Sequence, residues 1–182
     1  EGGGWSALDW SRDGKKILVQ EEISANESYL WVADSTTGRK TLITPKGGPI
    51  KIAYGGGAFS RDDKGIYVTT DRDSEFQRLA YIDLSTGQHT YLTSHINWDV
   101  DEFDLSEDGK HIAFVTNEHG YGVLHLLNTA SQKEHVVVGL QNRFGVAVQT
   151  SIVSAAPFAD RERQRGEARR RRHDVRRGDE LQ

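Results

Sequence analysis

The chain of 182 residues contains neither cysteine nor methionine. The lack of cysteine excludes disulfides, thiolate metal sites and cysteine nucleophiles. It is compatible with a cytoplasmic or a periplasmic location, and the sequence does not decide between the two. Because the chain begins at Glu1 without a methionine anywhere, we expect it to be part of a longer reading frame. Any targeting signal would then lie upstream.

Long apolar runs and a strong net charge are lacking as well. No stretch approaches the roughly 18 apolar residues of a membrane-spanning helix, so we expect no membrane association. The formal net charge of −4 gives no electrostatic reason to expect nucleic acid as a partner. Before residue 160 no segment has sustained helical periodicity, which favours an all-β fold.

What the chain does contain is a repeat with three landmarks. The first is an S-x-D-G-K-like turn followed by apolar residues, at residues 11–19, 60–68 and 106–114. The serines that begin these three copies lie 49 and then 46 residues apart. The second is a D-x-x-T-G-like segment that starts 23, 23 and 22 residues after each serine, at residues 34–38, 83–87 and 128–132. The third follows at a constant offset, at residues 42–44, 91–93 and 136–138.

Each copy of the repeat predicts four short strands. The first ends before the serine, the S-x-D-G-K turn leads into the second, and the D-x-x-T-G turn joins the third to the fourth. A repeat of this length with four strands is typical of a propeller blade, and a sandwich of unrelated hairpins is the alternative. We therefore predict an all-β fold, a partial β-propeller of about three four-stranded antiparallel blades. Their expected bounds are residues 1–48, 49–95 and 96–139.

Three blades cannot close a propeller ring, which usually needs four to eight. An open set exposes two blade faces, and repeat proteins bury such faces against neighbours. We therefore predict self-association through the exposed faces, with two copies completing a ring of about six blades. The four tryptophans, Trp5, Trp10, Trp31 and Trp98, are expected to pack between blades.

The direction of the strands separates two faces of the predicted propeller. Both repeated turns fall on one face, which we call the bottom face. The connections at residues 21–28, 71–77 and 117–122 fall on the opposite top face, with the links 45–53 and 94–100. We expect these top connections to be long and variable, and the top face or the central channel to carry binding.

Several longer phrases stand between the turns, at residues 2–11, 54–60, 70–79, 98–106 and 114–118. They resemble the propeller of the prolyl oligopeptidase family of serine peptidases, whereas the two turn signatures alone are shared with TolB-like propellers. The resemblance covers residues 1 to about 139. It implies a propeller that caps a missing α/β-hydrolase domain, docks on it and gates the access of peptide substrates. The alternative is a TolB-like propeller that acts as a protein–protein interaction scaffold.

Catalytic machinery is not expected in this chain. The hydrolase nucleophile elbow has the pattern G-x-S-x-G, and the segment from Gly4 to Leu8 lacks its closing glycine. We therefore predict that the chain is no enzyme, although its parent protein would be a serine peptidase. No cofactor and no metal are expected, because the histidines show no metal-ligand spacing and residues 71–76 break the EF-hand pattern.

Two sets of charged residues are candidates for a substrate-entrance or docking loop. One belongs to the phrase at residues 70–79, where a local salt-bridge cluster is the alternative interpretation. The other belongs to an acidic cluster that would be solvated or line the channel. The candidates are Arg72, Asp73, Glu75, Arg78, Asp99 and Asp101.

The final segment, residues 140–182, departs from the repeat. Residues 144–153 alternate well enough for one extra strand, and residues 161–177 hold nine of the 15 arginines and no lysine. Three interpretations of this Arg-rich tail stay open: a frameshift in GC-rich coding DNA, a solvated irregular or helical tail, and a basic arm for a polyanion.

Overall fold

A computed structural model describes residues 3–137, and these residues form twelve strands and no helix. The strands make three four-stranded antiparallel sheets, each in sequence order, which we call blades 1, 2 and 3. Blade 1 contains β1 (Gly4–Trp10), β2 (Lys16–Ser24), β3 (Glu27–Asp34) and β4 (Lys40–Leu42). Blade 2 contains β5 (Tyr54–Phe59), β6 (Gly65–Thr70), β7 (Arg78–Asp83) and β8 (His89–Tyr91). Blade 3 contains β9 (Val100–Leu105), β10 (His111–Glu118), β11 (Tyr121–Asn128) and β12 (Glu134–Val136).

The predicted all-β fold of three four-stranded antiparallel blades is therefore confirmed. The strand predicted at residues 144–153 and the Arg-rich tail lie outside the described residues.

The S-x-D-G-K turn owes its recurrence to one hydrogen-bond pattern. In blade 2 the Ser60 hydroxyl donates to Asp62 Oδ1 at 2.7 Å and accepts from the Gly65 backbone N–H at 3.0 Å. The same two bonds occur at Ser11 and Ser106. The turn also needs a left-handed backbone, and Asp63 supplies it with φ of 54° where the other two copies have glycine.

The D-x-x-T-G turn is held by the side-chain oxygen of its first residue. Asp83 Oδ1 accepts from the backbone N–H groups of Ser85 and Thr86 at 2.9 Å each. In blade 3 the neutral Asn128 Oδ1 accepts from the corresponding two N–H groups, at 3.2 and 2.9 Å. An amide oxygen therefore fills the role of the carboxylate, which explains why the weaker third copy still forms the turn.

The third landmark of the repeat places a threonine against a strand of the same blade. Thr44 Oγ1 accepts from the Leu30 N–H, and Thr93 Oγ1 accepts from the Leu79 N–H, both at 3.0 Å. Both threonines are at most 2% exposed. Each hydroxyl thus satisfies a backbone donor that the short fourth strand leaves without a partner in the ladder.

Two of the three top connections are shorter than predicted. Residues 21–28 are almost entirely strand, because β2 and β3 continue until only Ala25 and Asn26 separate the paired ends. Residues 117–122 likewise form a hairpin whose turn is His119 and Gly120, with φ of 53° and 84°. Positive φ at both positions matches the twist of paired strands, so pairing extends through the predicted loop. Only residues 71–77 form a long top connection within a blade.

Side chains alternate along each strand, so every blade has two faces. The blades stack in the order in which they occur in the chain. In each of blades 1 and 2 one face packs against the following blade, and the resulting joints contain two separate apolar cores. The first core joins blades 1 and 2 through Leu18, Leu30, Tyr54, Phe59, Ile66, Val68, Ala80 and Ile82. The second joins blades 2 and 3 through Leu79, Leu92, Val100, Ile112, Phe114 and Leu127.

The innermost strand of blade 2, β5, contains glycines where it approaches blades 1 and 3. A Cβ at Gly57 would lie 2.6 Å from Leu18 Cδ2 and 2.8 Å from Leu8 Cδ1 of blade 1. A Cβ at Gly56 would lie 3.0 Å from Phe103 of blade 3. The glycines of β5 therefore let the three first strands approach one another around a common centre.

The expectation that the tryptophans pack between blades is wrong for the two joints described. Trp5 and Trp10 are 45% and 57% exposed, and Trp31 is partly exposed beside Trp5 on the same face of blade 1. Trp98 contacts His119 in an edge-on arrangement instead. The first three belong to the face of blade 1 that points away from blade 2, which the alternation of β1 and β3 dictates.

Candidate functional site

A cleft of about 660 Å³ lies where the top ends of the three innermost strands converge. Gly4 of β1, Gly55 of β5 and Asp101 of β9 all line it. The inner face of blade 1 contributes Gln20 and Glu22 of β2, which alternation places on one side of the strand. All three blades therefore contribute to one depression on the top face, where binding was expected.

The wall of the cleft is fixed by hydrogen bonds between blades 1 and 2. The Ser28 hydroxyl donates to the Tyr54 carbonyl oxygen and accepts from the Tyr54 N–H, both at 2.7 Å. The amide nitrogen of Gln20 donates to the same carbonyl oxygen. Ser28 and Gln20 are buried, so these bonds are shielded from water and hold the first strand of blade 2 against blade 1.

The cleft is lined by acidic and not by basic side chains. Within residues 3–137 its three charged side chains are the carboxylates of Glu22, Asp99 and Asp101. Partial burial and the neighbouring Asp99 raise the pKa of Asp101. The side-chain oxygen of Gln77, another lining residue, is buried without a hydrogen-bond partner among residues 3–137. The three exposed carboxylates thus offer acceptors to a ligand, and their charge suits a cation.

The predicted candidates fall into two separate groups. Asp99 and Asp101 line the cleft, and Asp99 Oδ1 accepts from the Gln77 N–H at 2.8 Å. Arg72, Asp73 and Arg78 instead gather beside the outer strand of blade 2, around the ring of Tyr91.

The group around Tyr91 is a local cluster. The Tyr91 hydroxyl donates to Asp73 Oδ2 at 2.8 Å, and Arg72 Nε lies 3.4 Å from the same oxygen. The Arg78 guanidinium carbon lies 5.9 Å from the centre of the Tyr91 ring. Glu75 is exposed and makes no salt bridge within residues 3–137. None of these four residues, Arg72, Asp73, Glu75 and Arg78, lines the cleft.

Sequence reasoning missed Gln20, Glu22 and Gln77 as lining residues. The signal for the first two was available in β2, where two polar residues alternate on the face that otherwise packs against blade 2. Gln77 gave no such signal, because it ends a loop, and its N–H donates to Asp99 at the edge of the cleft.

Two further clefts, of about 710 and 790 Å³, lie on the bottom face among the repeated turns. Arg12 and Arg61 line both of them. Arg61 Nη1 donates to the Glu107 carbonyl oxygen at 3.0 Å and so ties the turns of blades 2 and 3 together. These clefts follow from the spacing of the turns, which marks them as structural.

Within residues 3–137 no group of three or more acidic or histidine side chains is arranged to hold a metal ion. In the same part of the chain no helix is long and apolar enough to cross a membrane.

A comparison with protein-family models finds no match, and a comparison with curated proteins finds none either. Solved structures do match. TolB from Acinetobacter baumannii is 23% identical with a TM-score of 0.58, over 74% of this chain and 32% of that one. A putative TolB from Agrobacterium tumefaciens is 16% identical with a TM-score of 0.63, over 75% of this chain and 50% of that one. Prolyl oligopeptidase B from Galerina marginata is 13% identical with a TM-score of 0.60, over 74% of this chain and 20% of that one.

The chain thus spans between a fifth and a half of the length of these three structures. At such identities the likeness establishes the fold, and it agrees with the resemblance seen in the sequence. Residues 3–137 form three four-stranded blades of a β-propeller, the fold in which this chain resembles the two TolB structures and prolyl oligopeptidase B.

Proposed function

We propose that the chain is a non-catalytic propeller module whose top-face cleft receives positively charged segments of peptides. The observation that carries this proposal is the cleft where the three blades meet, whose charged lining groups among the described residues are the carboxylates of Glu22, Asp99 and Asp101. Carboxylates at the mouth of a channel attract cationic ligands and exclude anionic ones.

In a prolyl-oligopeptidase-type parent protein this module would dock on an α/β-hydrolase domain and gate the access of peptides to it. Two features support a gate with selective chemistry. The cleft is open to the top face, and its wall is held rigidly by the Ser28 and Gln20 bonds to Tyr54. A rigid rim selects ligands by size and charge without a conformational change.

The test is a fluorescence anisotropy titration of the full chain with two labelled peptides of equal length, one rich in lysine and one rich in glutamate. We expect only the basic peptide to bind, with an affinity that falls as salt is added. The double variant D99N/D101N keeps oxygen acceptors in place but removes two charges, and we expect roughly tenfold weaker binding.

The matched control is E107Q, which removes an exposed carboxylate on the bottom face. It should leave the affinity for the basic peptide unchanged. Equal binding of both peptides, or identical affinities for wild type and D99N/D101N, would contradict the proposal. The raised pKa of Asp101 also predicts how binding depends on pH. As the pH falls, Asp101 should become protonated, and the basic peptide should begin to dissociate, at a higher pH than would be seen for an aspartate with an ordinary pKa.

The alternative function is a TolB-like scaffold for protein–protein interaction, and the fold likeness to two TolB structures supports it equally. The two proposals differ in the ligand. A scaffold would bind a folded protein through broad surfaces and would be insensitive to D99N/D101N. Surface plasmon resonance with an isolated α/β-hydrolase domain of the prolyl oligopeptidase type tests the docking part separately, and binding there favours the gate.

A further inference from the structure

The first blade carries an apolar face that neither joint covers. Ile17 and Val19 of β2 are partly exposed, whereas Ile66 and Val68, at the same repeat positions of blade 2, are fully buried against blade 1. The register of the strands places further side chains on this face. We call it the blade 1 open face, formed by Trp5, Ile17, Val19, Trp31 and Lys40.

Within residues 3–137 the third blade has an uncovered face on its other side, the side that in blades 1 and 2 packs against the following blade. Leu30 and Leu79, which face the following blade, are fully buried, but the corresponding Leu124 is partly exposed. Pairing of β9 with β10 brings two exposed carboxylates onto the same side. We call it the blade 3 open face, formed by Glu102, Asp104, Ala113, Val115, Leu124 and Leu126.

The two open faces complement each other in size. Trp31 stands where the covered blades have Ala80 and His125, so the blade 1 open face protrudes at this position. Ala113 stands where the covered faces have Leu18 and Tyr67, so the blade 3 open face is recessed. A bulky side chain opposite a small one allows close packing.

They also complement each other in charge. Glu21 shares the side of the blade 1 open face, but its carboxylate is paired with Lys46 at 3.1 Å. The Lys40 ammonium lies 3.8 Å from the centre of the Trp5 ring and is exposed, with no carboxylate within salt-bridge distance among the described residues. The blade 3 open face carries Glu102 and Asp104, both exposed and likewise without a basic partner there. Opposite charges on the two faces favour contact between them and disfavour contact of either face with itself.

We infer that the blade 3 open face of one copy packs on the blade 1 open face of a second copy. This contact repeats the order in which blades 1, 2 and 3 already stack within the chain. Because it is heterologous, a second identical contact closes the pair into a ring. Two copies of three blades give six blades, within the range of four to eight in which propellers close.

The oligomeric state of the full chain in solution tests the inference. Sedimentation velocity should show a dimer at micromolar concentration. A charge buried in either face, W5E or V115D, should weaken dimerisation about 100-fold. The control I50E places the same kind of charge at a 77% exposed isoleucine in the link between blades 1 and 2, and it should leave the dimer intact.

A mixing experiment distinguishes this heterologous contact from a symmetric one. W5E retains an intact blade 3 open face, and V115D retains an intact blade 1 open face. An equimolar mixture of the two monomers should therefore form a heterodimer through one joint. If a single face paired with its own copy, one variant would stay dimeric alone and mixing would restore nothing.

Exposed charges offer a version of the test that spares the core. K40E and D104K should each weaken the dimer, and the double variant K40E/D104K should recover at least tenfold of the lost affinity, because its charges again oppose each other. Circular dichroism verifies the fold of each variant. A well-folded wild-type monomer at all concentrations, or a mixture of W5E and V115D that stays monomeric, would overturn the inference.

Discussion

A single carboxylate in the second turn of blade 2 shows how residue chemistry sets the stability of a blade. The Ser85 hydroxyl, which donates to Asp83 Oδ1 at 2.6 Å, and the Thr86 N–H lower the pKa of Asp83 to about 2. The aspartate therefore binds its proton more weakly in the folded chain than in the unfolded one. Its contribution to stability is complete above about pH 4 and is lost as the pH falls towards about 2.

The variant D83N should keep the turn and lose this pH dependence, because Asn128 already serves the same turn in blade 3. We expect the thermal midpoint of wild type to exceed that of D83N near pH 6, and the difference to shrink between pH 4 and pH 2. Circular dichroism melts across this range measure the difference. A difference that is constant with pH would contradict the argument, and E107Q, an exposed carboxylate without this network, is the control.

At the scale of the strand, β5 shows that the close approach of the first strands of the three blades requires residues without side chains. Its glycines leave room for Leu8 and Leu18 on one side and Phe103 on the other. The main-chain path is thus set by the bulk of its neighbours. Side chains added here have to displace packed apolar groups.

The variant G57A should therefore destabilise the chain by about 1–3 kcal/mol, because the new methyl group would lie 2.6 Å from Leu18 Cδ2. G48A is the matched control, since the nearest atom to its Cβ would be 3.8 Å away. Urea unfolding followed by tryptophan fluorescence gives both free energies. Equal midpoints for G57A and G48A would show that β5 can move away from blade 1.

The sequence predicted the blades well because each turn carries its own chemistry. The serine and aspartate of the first turn are adjacent in the chain, so their hydrogen bonds can be read locally. The top hairpins were harder, because the positive φ at His119 gives no clear signal in a residue other than glycine. The cleft required the relative placement of three blades, which no local pattern contains. Only Asp99 and Asp101 of its acidic residues were anticipated as channel-lining.

At the scale of the whole molecule, the three blades differ in how many of their faces are covered. Blade 2 packs on both sides, and Ile66, Val68, Leu79 and Ile82 of its central strands are all fully buried. Blades 1 and 3 each have one face covered by a described neighbour. In a linear array of repeats, the free energy of unfolding is approximately the sum of a contribution from each blade and one from each interface between blades. Because blade 2 takes part in both interfaces, it should unfold locally less often than blades 1 and 3.

Hydrogen exchange followed by mass spectrometry can measure this gradient. At concentrations too low for self-association, we expect the amides of β6 and β7 to exchange more slowly than those of β2, β3, β10 and β11. At concentrations where a ring forms, the outer blades should gain protection and the gradient should flatten. Uniform protection at high dilution would contradict a stack of partly independent blades.

The two joints between blades also bear on how the chain folds as it leaves the ribosome. Every strand pair of a sheet is complete within one repeat, so blade 1 can form before blade 2 has been synthesised. Until blade 2 forms, the apolar side chains of Leu18 and Leu30 would be exposed to water, since blade 2 is what buries them. Each new blade thus completes the fold of its predecessor, and a pause in translation between repeats would leave the newest blade exposed to aggregation.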